Sequence, residues 1–128
     1  MRVHIFAFVL ISMALCLAFS DAYAVTCDML VMNVDDASTK LRQAANETNL
    51  DAAKDYAGRA KSALDDAAMS AMDCKCHMAH IEFDTAASHA RRARDAYSTE
   101  EFVDSLNRAI RAFNSALNAL RVCASGLR

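Results

Sequence analysis

Four cysteines set the frame of this chain. Cys27 and Cys74 stand 47 residues apart, Cys76 and Cys123 stand 47 residues apart again, and only Lys75 separates the pairs. Whatever fold lies between the first two must fit the same length between the second two. Shifting residues 27–74 by 49 lays them on 76–123 without a gap, with identity at 12 of 48 positions. Five of these are alanines, which an alanine-rich chain yields by chance. The matched cysteines and the recurrence of Asp55–Arg59 as Asp104–Arg108 are harder to assign to chance. A period near 49 is long for one helix and suits a helical hairpin. The chain is therefore read as a duplication, with repeat 1 at 27–74 and repeat 2 at 76–123. Two similar amphipathic segments that happen to align are the alternative.

The first 24 residues read as a signal peptide. Met1-Arg2-Val3-His4 is a short positive start, residues 5–19 are an apolar run, and Ala22-Tyr23-Ala24 offers an A-x-A cleavage site. The run is short for a membrane span of about 20 residues. A retained anchor is the competing reading, and no stable membrane insertion is expected once the leader is removed. Cys16 lies inside the run and is expected to leave with it. The mature chain, 25–128, then carries an even set of four cysteines. Export to a bacterial periplasm or beyond the cell makes disulfides their expected state.

The absence of proline, with glycine only at 58 and 126, favours long helices over a turn-rich β fold. Apolar residues recur at helical spacing in four stretches. In Asp28–Asn46 the stripe is Leu30, Val34, Ala37, Leu41 and Ala44. In Leu50–Asp73 it is Leu50, Ala53, Ala57, Ala60, Leu64, Ala67 and Ala71. In 76–96 it is Ala79, Phe83, Ala86, Ala90 and Ala93, and in 99–123 it is Phe102, Leu106, Ala109, Phe113, Ala116 and Leu120. Thr48 or Asn49 can cap the second helix. Ser98 with Glu101 forms a capping box for the fourth, and Gly126 is placed to close it. Gly58 reads as a tolerated small residue. The expected fold is all-α: an up-down-up-down four-helix bundle made of two tandem disulfide-stapled helical hairpins.

In a hairpin the start of the first helix lies beside the end of the second. That pairs Cys27 with Cys74 and Cys76 with Cys123, each bridge closing a loop worth about 4 kcal/mol in the chain-entropy model. Two other pairings of four cysteines exist: diagonal bridges, or a tight Cys74–Cys76 ring with Cys27–Cys123. Nothing between Asp73 and His77 breaks a helix by composition. The second and third helices can therefore also be read as one continuous rod, with an elongated or swapped dimer as its consequence.

Functional signals are sparse. The net charge of −2 gives no general electrostatic case for nucleic acid. Cys74-Lys75-Cys76-His77 has one spacer where a haem-attachment or thioredoxin-type motif needs two. No Glu-x-x-His pair of a di-iron bundle occurs. No nucleophile setting, phosphate loop or cofactor motif is legible, so an enzyme is not expected and no cofactor is implied. Two readings remain. In the first, the protein is a non-enzymatic exported binding or structural module, monomeric or homodimeric, contacting another exported protein, with Arg91, Arg92 and Arg94 as candidate partner-binding residues. In the second, it is a small periplasmic copper- or zinc-binding protein using the Cys, His and Met side chains around 74–80, with His77, His80, Met78 and Met29 as soft ligands beside the cysteine thiolates.

Overall fold

A computed structural model describes residues 27–126, which contain four α-helices: α1 (Asp28–Asn46), α2 (Leu50–Asp73), α3 (His77–Arg94) and α4 (Thr99–Gly126). The expected leader, its cleavage site and Cys16 lie outside the described residues.

Local chemistry accounts for most of the boundaries. The side chain of Asn49 accepts the Ala52 N–H at 3.0 Å and so caps α2. Ser98 Oγ accepts the Glu101 N–H at 3.1 Å at the start of α4. The reciprocal half of that capping box is displaced by one residue: Glu101 Oε2 accepts the Tyr97 N–H at 3.0 Å. Asn49 and Ser98 occupy equivalent places in the two halves. Gly126 does not close α4 from outside. It is the helix's last residue, and no described glycine has a positive φ.

The break between α2 and α3 carries no glycine. Lys75 adopts φ 61°, the left-handed region. The Cys76 N–H donates to the Ala71 carbonyl and the Lys75 N–H to the Met72 carbonyl, both at 2.9 Å. These are the two bonds of a Schellman ending, in which a left-handed residue lets the last carbonyls of a helix find donors. The continuous-rod reading therefore fails at Lys75.

The helices pack in chain order: α1 against α2, α2 against α3, and α3 against α4, while α1 meets α4 only marginally. Side-chain volume explains this. Seven of the eight buried residues of α2 are alanine, as are five of the six of α3. Backbones with only a methyl group between them can approach closely. The bulk comes from the outer helices: Leu30, Val34 and Leu41 on α1, and Phe102, Leu106, Phe113, Leu117 and Leu120 on α4. The Phe83 and Phe113 rings meet across α3 and α4 with centroids 5.9 Å apart.

The burial pattern repeats. Of the sixteen residues buried in 27–74, fifteen are buried again 49 positions later, and the sixteenth, Cys123, is half-buried. Two disulfides are present, Cys27–Cys74 and Cys76–Cys123, with Cα separations of 5.7 and 5.9 Å. Both fall in the span that a bridge tolerates without backbone movement.

Candidate functional site

The bridges gather the start of α1, the end of α2, the start of α3 and the latter part of α4 at one end of the molecule. Cys27 and Cys76 hold the N-cap positions of α1 and α3, and neither makes a side-chain cap bond. Their sulfurs are committed to the bridges.

Among the described residues, this end carries most of the exposed large apolar side chains. Among the described residues nine large apolar side chains are exposed, and seven lie within five positions of a bridged cysteine. They come as i,i+3 pairs on three helices: Met29 with Met32 on α1, Met69 with Met72 on α2, and Met78 with Ile81 on α3. Such spacing sets two side chains on neighbouring turns of one face. Val122 adds α4 to the series. Met29 and Met78, equivalent in the two halves, are both 62% exposed. The result is a methionine-rich collar around the bridged end.

The four residues expected to share a metal do not share one flank. His80 Nδ1 lies 2.8 Å from the Ala68 carbonyl, which seats its ring in the groove between α2 and α3. His77, one turn earlier, is exposed. Asn33, one turn after Met29, bonds Ser70 of α2 at 2.7 Å, so Met29 borders the seam between α1 and α2. Met78 precedes His89 by 11 residues, about three full turns, and shares its flank toward α4. Among the described residues no three or more His, Cys, Asp or Glu side chains gather in a metal-holding group.

The three arginines of α3 also part company. Arg94 grips Asp95 with two bonds, Nε to Oδ1 at 2.9 Å and Nη2 to Oδ2 at 3.2 Å. Bonding to Arg94 holds the Asp95 carboxyl below its ordinary range, and the same bond raises Arg94. The Arg94 stem crosses α2 at Gly58, where an added Cβ would stand 3.0 Å from Arg94 Cδ and 3.4 Å from Cγ. Gly58 is thus the gap in α2 that receives an arginine of α3. Arg92 instead joins Arg108 and Arg111 of α4 around His89. Burial lowers the His89 pKa first, then the three arginines, while Asp104 opposes them. His89 Nδ1 is buried with no hydrogen-bond partner. Asp104 already accepts from Arg108 Nε at 3.1 Å, and the equivalent pair in the first half is Arg59–Asp55 at 3.0 Å.

Sequence reasoning passed over Met32, Met69, Met72, Ile81 and Val122. For the four on α1, α2 and α3 the signal was present: apolar residues at i,i+3 spacing on faces away from the alanine stripes. Arg108 and Arg111 carry the same spacing as His89 and Arg92, but only the pairing of α3 with α4 joins the two sets.

Comparison with known proteins brings no match to a protein-family model, to a curated protein or to a solved structure. The two disulfides suggest an oxidising extracellular setting. No helix among the described residues is long and apolar enough to cross a membrane.

Proposed function

We propose that this protein is an exported, non-enzymatic helical module that binds another exported protein through the collar at its bridged end. The carrying observation is that collar. Methionine is unbranched and polarisable, so it adapts to varied apolar partners at little strain. Exposed apolar groups concentrated in one place mark contact surfaces, whereas scattered ones do not. Full burial of a single methionine is worth roughly 1.5–3 kcal/mol, so a few covered collar residues can anchor a complex.

The architecture suits this role. We read the chain as two tandem helical hairpins in up-down-up-down order, each closed by its own bridge, derived from one duplicated unit. The recurrence of buried positions at the 49-residue offset supports the duplication. Pinned helix ends hold the collar side chains on a fixed frame, which lowers the ordering entropy lost on binding. The leader pattern of residues 1–24 supports export to the periplasm or the medium. The net charge of −2 does not favour nucleic acid.

The test uses photo-activatable methionine incorporated into the exported chain in its native envelope. Crosslinks from Met29, Met32, Met69, Met72 and Met78 to one other polypeptide are expected. They should disappear when Met29, Met69 and Met78 are changed to lysine and bridging and helicity are intact. Crosslinking that is absent, or unchanged in that variant, overturns the proposal.

A further inference from the structure

We propose that His77, His80 and Met72 form a binding site for a soft monovalent metal ion of the copper(I) class, in the groove between α2 and α3 beside the Lys75 turn. The inference starts from one hydrogen bond. His80 Nδ1 lies 2.8 Å from the Ala68 carbonyl oxygen. A carbonyl only accepts, so the ring must donate and its proton must sit on Nδ1. In the neutral imidazole the lone pair is then on Nε2, on the other side of the ring. Metal-binding histidines are set in this way: one ring nitrogen donates to a carbonyl, which fixes tautomer and orientation, and the other faces the ion.

Two further donors come from the helical register. Ala68 and Met72 are one turn apart on α2, and Met72 lies toward the bridged end. His77 and His80 are nearly one turn apart on α3, and His77 lies toward the same end. Because His80 is level with Ala68, His77 is level with Met72 across the groove. Met72 is 41% exposed and His77 is exposed, so both side chains are free to swing toward His80 Nε2. The Schellman ending at Lys75 holds the two helix ends in this relation.

The donor set decides the kind of ion. Two imidazoles and a thioether are borderline and soft ligands, and thioether sulfur selects copper(I). Structural zinc sites take four Cys or His ligands, and no gathering of three or more His, Cys, Asp or Glu side chains is present among the described residues. The cysteines contribute nothing, since both pairs are bridged.

Silver(I), a redox-inert soft cation, tests the site on the oxidised, folded protein in chloride-free buffer. Before metal is added, long-range proton–nitrogen spectra should show His80 protonated at Nδ1. One equivalent of silver should move His77, His80 and the Met72 methyl carbon and leave the Met29 and Met78 methyls in place. Met72→Leu and His77→Ala should each weaken binding at least about tenfold with unchanged far-UV dichroism. A His80 ring protonated at Nε2, a common shift of the five methionine methyls within residues 27–126, or a Met72→Leu variant that binds silver as tightly overturns the assignment. So does tighter binding of zinc than of silver. None of these readouts depends on a protein partner, so the site and the collar contact stand or fall separately.

Discussion

The two halves of the molecule bury residues in one register and fill part of that register with opposite volumes. Leu30 and Leu41 of α1 are matched by Ala79 and Ala90 of α3. Ala53, Ala57 and Ala71 of α2 are matched by Phe102, Leu106 and Leu120 of α4. Two helix pairs in one chain meet a problem that a single pair does not: α2 and α3 touch each other, while α1 and α4 scarcely do. Alanine on both sides of the middle seam lets those backbones come close, and the outer helices supply the bulk that fills the space between. The pattern of burial recurs in both halves, while the neighbours of each helix call for different side-chain sizes.

The largest test of this equivalence is to remove one bridge at a time. The Cys27→Ala/Cys74→Ala and Cys76→Ala/Cys123→Ala double variants should each lose about 4 kcal/mol in urea unfolding, because both loops span the same length. Unequal losses would show that one half depends on its bridge more than the other. The divergence in volume comes next. Leu106→Ala should cost about 3 kcal/mol through a cavity. The reverse change at the equivalent site, Ala57→Leu, should cost about 2 kcal/mol through overpacking of the middle seam. If Ala57→Leu is neutral, the close approach of α2 is wrong.

A smaller effect belongs to a feature that occurs once. Lys75 holds a left-handed backbone that glycine adopts without penalty, so Lys75→Gly should stabilise the fold by about 0.5–1 kcal/mol. A rise of a few degrees in thermal midpoint would register it. The smallest effect distinguishes His89 from its first-half equivalent, Lys40. The folded His89 pKa lies below 6.5, so the unfolded chain binds the extra proton as pH drops past that value. Stability should therefore be full above about pH 6.5 and decline below it, and His89→Gln should flatten that decline. Urea midpoints at about pH 7.5 and about pH 5.5 measure the difference, which solvent around the half-exposed ring keeps small.

Much of the fold was legible because its signals are local. The helical spacing of Leu30 to Ala44 and of Phe102 to Leu120 marks buried stripes, and Asn49 and Ser98 announce helix starts by their own chemistry. The bounds of α1 and α2 match the sequence reading. Those of α3 and α4 differ by one to three residues, where fraying ends and a non-closing Gly126 leave no sharp signal. The site was less legible. The spacing of Met69 and Met72 is visible in sequence, but neither exposure nor nearness to the histidines can be read from one helix alone. The three arginines look like one cluster in sequence because they are neighbours in the chain. Helical rotation of about 100° per residue sends Arg92 toward α4 and Arg94 toward Gly58.

Periodicity, caps and cysteine spacing determined that this chain makes four helices in two matched halves, since each depends on residues within a turn or on equal chain lengths. Tertiary structure alone decided that Lys75 takes a left-handed turn, that Gly58 receives Arg94, and that the His80 ring faces the Ala68 carbonyl. Those outcomes depend on which helix lies beside which and at what level, a relation between distant segments that no local pattern encodes.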